Sequence, residues 1–300
     1  MPQPNPLPRY GPRDRLSDVG PRVVRARLRD ARRYEPSLLR ALRKGPPDAD
    51  DVHDMRVALR RLRAALAFLD IDPHVQLEVK RLQDALGGIR DVQVQEAWLH
   101  AHARPRGSKR GDALEEPRQR LLARLPAGST HLREELERWR ALTLGRLQEC
   151  LRAGLPRFRI GGKHVRRELR QTLRKIQRRF SKFEKSADPI TAHRLRIAIK
   201  KLRYEAELLI PVWPQQMGAL LRTLKPLQEA FGALHDADVR ISMLEQVGDS
   251  EKPAALGRVL QGTENQRRKL AAQASATVGA CQVRRQLRAL AKKLKDNAAE

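Results

Sequence analysis

Val52-His53-Asp54-Met55-Arg56-Val57-Ala58-Leu59-Arg60-Arg61-Leu62-Arg63 returns later in the chain as Ala192-His193-Arg194-Leu195-Arg196-Ile197-Ala198-Ile199-Lys200-Lys201-Leu202-Arg203. His, Ala, Leu and Arg keep their places, and most other exchanges preserve charge or apolar character. Met55, Leu59, Leu62, Leu66 and Leu69 fall on one face of a helix, as do Leu195, Ile199, Leu202, Ala206 and Leu209, so each stretch predicts an amphipathic helix with one side in a core. A second pair follows in the same order. It matches Leu82-Gln83-Asp84-Ala85-Leu86-Gly87-Gly88-Ile89-Arg90-Asp91 with Leu227-Gln228-Glu229-Ala230-Phe231-Gly232-Ala233-Leu234-His235-Asp236. The extra length of the second copy falls where Asp70-Ile71-Asp72-Pro73 becomes Ile210-Pro211-Val212-Trp213-Pro214, a turn between helices in both. Two diverged copies of one helical unit account for this pattern. The predicted fold is all-α, two pseudosymmetric helical bundles from an internal duplication, with the cleft between them as the natural binding site.

Outward from these motifs, helical periodicity covers roughly 19–44, 49–70, 74–87, 91–103, 130–153, 163–186, 190–210, 215–231, 236–247 and 253–277, with a last helix near 282–296. Residues 1–17 are Pro-rich and read as a flexible tail outside the fold. The domain then runs over 18–297, its first half about 18–153 and its second about 163–297. Ala103–Pro117 reads as a surface excursion and Gly154–Gly162 as a connector. Gly87 and Gly232 read as helix C-caps, and Asp91 and Asp236 as N-caps of the next helices.

The 300 residues carry 62 Lys+Arg against 35 Asp+Glu, a formal net charge of +27. An apolar share of 40% argues against a disordered basic tail, and an aromatic share of 4% disfavours sheet architectures. Cys150 and Cys281 form neither a disulfide framework nor a metal motif, which fits a reducing compartment. No apolar run approaches the roughly 18 residues of a membrane span, and the N-terminus has no apolar signal core. The expectation is a soluble, cytoplasmic protein with no membrane partner. The charge attracts polyanions without saying which.

At about 100° per residue, His53, Arg56, Arg60 and Arg63 share a stripe about 80° wide, separate from the apolar face. His193, Arg196, Lys200 and Arg203 form the same stripe in the second copy. Like charges at this spacing cost roughly 0.2–0.5 kcal/mol per pair, a strain that bound anions relieve. Guanidinium suits phosphate because its planar donors bond two oxygens at once, and rows one helical turn apart suit an extended phosphate chain. Lys80 and Lys225 stand three residues before the paired glutamines and extend each row. Arg25, Arg29 and Arg32, with counterparts Arg170, Arg174 and Arg178, form a second tier of contacts.

A lone basic stripe is commonly just a solvated face; its repetition is what favours a binding role. His53 and His193 have no second metal ligand at i+3 or i+4, so no metal is expected. They either donate to phosphate or fix neighbouring helices. No nucleophile, acidic metal cluster or phosphate-loop glycine pattern stands out, and no cofactor is implied.

His53-x-x-Arg56-x-x-x-Arg60-Arg61-x-Arg63 and His193-x-x-Arg196-x-x-x-Lys200-Lys201-x-Arg203-Tyr204, each followed by Leu-Gln-x-x-(Leu/Phe)-Gly-x-x-x-Asp, resemble the CHAD family, the conserved histidine α-helical domain, over about residues 18–297. The resemblance implies two pseudosymmetric helical bundles with a basic central pocket that binds inorganic polyphosphate, and recruitment to polyphosphate granules. The ligand residues it implies are His53, Arg56, Arg60, Arg63 and Lys80, then His193, Arg196, Lys200, Arg203, Tyr204 and Lys225. Ala64 stands where the second copy has Tyr204, Arg90 where it has His235, and Arg60-Arg61 where it has Lys200-Lys201, which predicts unequal half-sites. Many members are fused to a CYTH domain, which has no counterpart here. The expected function is non-catalytic polyphosphate binding that targets or organises granules, with granule-associated proteins as further partners. General RNA or DNA binding is the alternative, as a weaker competitor for the same charges. It lacks aromatics for base stacking. A phosphoanhydride-processing enzyme ranks third, lacking acidic metal ligands.

Overall fold

A computed structural model describes residues 5–103, 109–246, 254–280 and 283–296. Every regular element among them is helical. The chain divides into two compact units. One comprises residues 15–157 with the described part of 1–9; the other comprises residues 10–14 and the described part of 158–300.

The first unit contains α1 (Leu16–Arg32), α2 (Glu35–Ala41), α3 (Ala49–Phe68), α4 (Pro73–His102), α5 (Lys109–Leu122), α6 (Leu125–Arg138), a π-helical turn (Trp139–Thr143) and α7 (Leu144–Ala153). α3 packs between α1 and α4, and α4 also receives α5 and α6. The Asp48 side chain starts α3 by accepting from the backbone N–H of Asp50 at 2.8 Å and of Asp51 at 3.2 Å. Met55, Leu59, Leu62 and Leu66 are fully buried at helical spacing, as their pattern requires. Asp70 adopts φ 54° in the tight turn, and Asp72 caps α4 on His74 N at 2.7 Å, with Pro73 in the first turn.

The second unit contains α8 (Lys163–Lys185), α9 (Pro189–Leu209), α10 (Pro214–Glu245), α11 (Ala254–Ala280) and α12 (Val283–Asp296). α9 packs on α8 and α10, α10 on α11, and α12 on α8 and α10. Asp188 caps α9 on Thr191 N at 2.8 Å. Hydrogen bonds from the Ser186 hydroxyl and the Thr191 amide hold its carboxyl down at about 2.

Several sequence expectations are corrected. α4 and α10 run unbroken through Gly87-Asp91 and Gly232-Asp236, so these glycines are not C-caps and these aspartates are not N-caps. The physical reason is that the buried positions continue across each glycine, Leu82-Leu86-Ile89-Val92 in α4 and Leu227-Phe231-Leu234-Ala237 in α10. Burial of that seam exceeds the roughly 1 kcal/mol cost of one helical glycine. α5 occupies the second half of the expected surface excursion, anchored by buried Ala113, Leu114 and Leu121; residues 104–108 lie outside the described residues. The expected 19–44 helix breaks at Arg33-Tyr34.

The Pro-rich start carries contacts that a tail reading does not anticipate. Asn5 donates from its amide at 2.8 Å and from Nδ2 at 2.6 Å to Asp30 Oδ1, and the buried Arg27 reaches both Asn5 O (3.1 Å) and Asp30 Oδ2 (2.8 Å). In the second unit, the Tyr10 hydroxyl donates to Leu208 O, Ile160 N to Asp14 O (2.9 Å) and Gly161 N to Pro12 O (3.0 Å). A Cβ at Gly161 would lie 2.5 Å from Pro12 Cβ, so this approach needs glycine.

Candidate functional site

In the first unit, His53, Arg56, Arg60 and Arg63 are all half-buried along the seam between α3 and α4. Arg63 Nη1 donates to Gln83 Oε1 at 3.0 Å. The Arg56 guanidinium lies over Gly87, where an added Cβ would stand 3.2 Å from Nη2, and its Nη1 is 3.8 Å from Asp91 Oδ1. Gly87 therefore makes room for a ladder arginine, and Asp91 is its partial counter-charge. Lys80 is exposed and pairs with Asp84 one turn on. Burial, then the charges of Arg90 and Arg60, push the His53 imidazole below its ordinary value against the opposing pull of Asp54. Burial likewise lowers Arg63.

In the second unit, Arg196, Lys200 and Arg203 are half-buried along the seam between α9 and α10, and His193 is exposed. Arg203 Nη1 donates to Gln228 Oε1 at 2.7 Å and its Nε to Glu207 Oε1 at 3.2 Å. His193 Nδ1 lies 3.4 Å from His235 Nδ1, with ring centroids 5.0 Å apart. One ring must carry its proton on Nδ1 and the other accept, so the pair does not favour two imidazolium rings. Burial, then Arg196 and Lys200, lower His193, with Asp238 opposing. Arg90, the first-unit residue at the His235 position, instead donates to Ala49 O at 3.2 Å.

The ladder meets the following helix through Arg56 and Arg63 in the first unit and through Arg203 in the second, and in each the last arginine is oriented by a glutamine. The glutamine amide oxygen orients the guanidinium without itself adding a counter-charge; for Arg203 a counter-charge comes from Glu207, 3.2 Å from Nε. Tyr204 is 5% exposed, with its ring in the core rather than on the basic face. Lys225 is exposed on α10. Arg25, Arg29 and Arg32 are exposed on α1, with Arg32 4.0 Å from Glu35. Arg170 is half-buried on α8, whereas Arg174 and Arg178 line a cavity beside α12. Among the described residues no group of three or more His, Cys, Asp or Glu side chains could hold a metal ion, and no helix is long and apolar enough to cross a membrane.

Gln83, Gln228, Gly87 and His235 are the site residues that sequence reasoning missed in role. The glutamines and glycines were visible as fixed members of the second repeated motif, but only the seam geometry shows what they touch.

The fold and its paired basic seams define an all-helical protein whose conspicuous surface chemistry is positive charge ordered along helix pairs. A family model, the CHAD domain, matches residues 22–245, and the chain belongs to that family. A solved structure, the crystal structure of the CHAD domain from the plant Ricinus communis, is similar with a TM-score of 0.69 and 24% identity, covering 96% of this chain and 97% of that one. At that identity it supports the fold alone. No curated protein matches the chain.

Proposed function

We propose that this protein binds inorganic polyphosphate without turning it over, and that binding targets it to polyphosphate granules or organises them. The observation that carries the reading is the repeated clasp: Arg63 on Gln83 in one unit and Arg203 on Gln228 in the other, each at the end of a half-buried cation row. Orienting these guanidinium groups before ligand arrives reduces the ordering cost of binding. The repeated motifs are read as an internal duplication whose two rows serve one polymer in a basic central pocket. His53, Arg56, Arg60, Arg63 and Lys80 contribute from one half, and His193, Arg196, Lys200, Arg203 and Lys225 from the other. Exposed Arg25, Arg29 and Arg32 and half-buried Arg170 serve as outer contacts. Buried Tyr204 supports the end of its row.

The test is competition binding of a long polyphosphate to wild type and to an Arg56→Glu, Arg196→Glu variant, in excess RNA. Tight wild-type binding that resists RNA, lost in a variant of unchanged helicity, is expected. Stoichiometric displacement by RNA would instead make the protein a general nucleic-acid binder. Orthophosphate release that vanishes in a His53→Ala, His193→Ala variant would overturn the non-catalytic reading.

A further inference from the structure

The second unit holds a cavity of about 730 Å³ between α8 and α12, and no residue of the α9 ladder lines it. Six of its lining side chains are cations: Arg174, Lys175, Arg178 and Lys182 from α8, and Arg284 and Arg288 from α12. No carboxylate lines it. Glu184 pairs with Arg284 through Nη2, while Arg284 Nε is shielded from solvent and makes no hydrogen bond.

The two helices bring these charges together for reasons unrelated to charge. Leu169, Leu173, Ile176 and Phe180 bury one face of α8, and Val283, Leu287, Leu290 and Leu294 bury one face of α12. Arg174, Arg178 and Lys182 then recur every fourth residue on α8, a like-charge arrangement that disfavours the helix unless an anion offsets it. Arg179, about 100° further round than Arg178, donates to Arg194 O and so marks the flank of α8 turned to α9. Lys175, four residues before Arg179, also turns toward α9 and acts on Glu205 there, but no residue of α9 or α10 lines the cavity. Cations converging on one concave volume raise its potential well above that of a flat basic face.

We propose that the α8–α12 cavity is a second phosphate site, taking a short run of phosphoanhydride-linked phosphates. Adjacent phosphates in such a run share a bridging oxygen, whereas a sugar separates them in nucleic acid, so the former places more charge inside one compact volume. No aromatic side chain lines the cavity to stack a base. The site shares no residue with the seam ladders, so each can fail without the other.

Equilibrium dialysis of the full-length protein against inorganic tripolyphosphate at physiological salt tests this. Three variants are compared: Arg178→Ser with Arg288→Ser in the cavity, Arg56→Ser with Arg196→Ser in the ladders, and Arg258→Ser with Arg268→Ser on the exposed face of α11 as an equal change of charge. Far-UV circular dichroism confirms unchanged helicity in each. The cavity variant is expected to lose one bound tripolyphosphate, or to weaken it at least tenfold, while the α11 control and the ladder variant retain that site. Equal tripolyphosphate binding by the cavity variant and the α11 control would overturn the proposal. So would stoichiometric displacement of tripolyphosphate from the ladder variant by a short RNA. Loss only in the cavity variant, with the ladder variant binding long polyphosphate as wild type does, would sink the ladder reading and leave the second site standing.

Discussion

His53 and His193 each sit beside cations, and both imidazoles are pushed below the usual histidine range, first by burial and then by Arg90 and Arg60 or by Arg196 and Lys200. Without ligand, the unfolded chain takes up protons that these folded-state rings refuse, so their contribution to stability declines as pH falls below the ordinary value of about 6.5. A bound polyphosphate reverses the local field and raises both values. Affinity is therefore expected to increase as pH drops from about 8 to about 6, and to approach about tenfold for each pKa unit that binding restores once pH lies below the free protein's lowered values. Titration calorimetry in buffers of different ionisation enthalpy would show the proton uptake, and the His53→Ala, His193→Ala variant would flatten it. An affinity independent of pH would mean that the rings never meet the anion's field. The histidines, arginines and their order were legible in the sequence. Their protonation was not, because it depends on burial and on neighbours such as Arg90, which lies on the following helix.

Gly87 and Gly232 occupy the same place in their two long helices yet meet different surroundings. A Cβ at Gly87 would press on the Arg56 guanidinium at 3.2 Å, and one at Gly232 would meet nothing within 4 Å. Gly232→Ala should therefore stabilise the protein by about 0.5–1 kcal/mol, the ordinary gain from replacing a helical glycine, with polyphosphate affinity unchanged. Gly87→Ala should gain less and weaken polyphosphate binding several-fold, because the guanidinium must give way. Thermal melts and binding curves on the two variants separate these outcomes, and identical behaviour would remove Gly87 from the site. The same pair explains why helix boundaries were the least legible part of the fold. Gly followed four residues later by Asp is a fair stop-and-start signal, and it misled because apolar positions on both sides kept phase through it. α5 was hidden for the converse reason: Pro117 lies inside that helix, and buried Leu114 and Leu121 outweigh it.

Across the whole molecule, a formal charge of +27 ensures that some polyanion will associate, so affinity alone identifies nothing. Salt dependence is more informative. If Arg56, Arg60, Arg63, Lys80, Arg196, Lys200, Arg203 and Lys225 each neutralise one phosphate, log K against log salt should fall with a slope of about −6, taking about −0.7 per contact from single strands. A slope near about −1 would contradict multidentate capture by the two rows. The α8–α12 cavity was not legible as a site because its walls come from helices far apart in sequence, and α12 reads by itself as an ordinary amphipathic helix. Residues 10–14 belong to the second unit, although the residues on either side of them belong to the first. The ribosome releases Tyr10 and Pro12 well before Ile160, Gly161 and Leu208, so these earlier residues must wait for their partners. A genetic fragment beginning at residue 158 lacks them altogether and is expected to melt well below the full chain. Co-expression of the fragment with a peptide spanning residues 5–17 should restore part of the difference, and a fragment as stable as its unit in the full chain would show that this segment is dispensable.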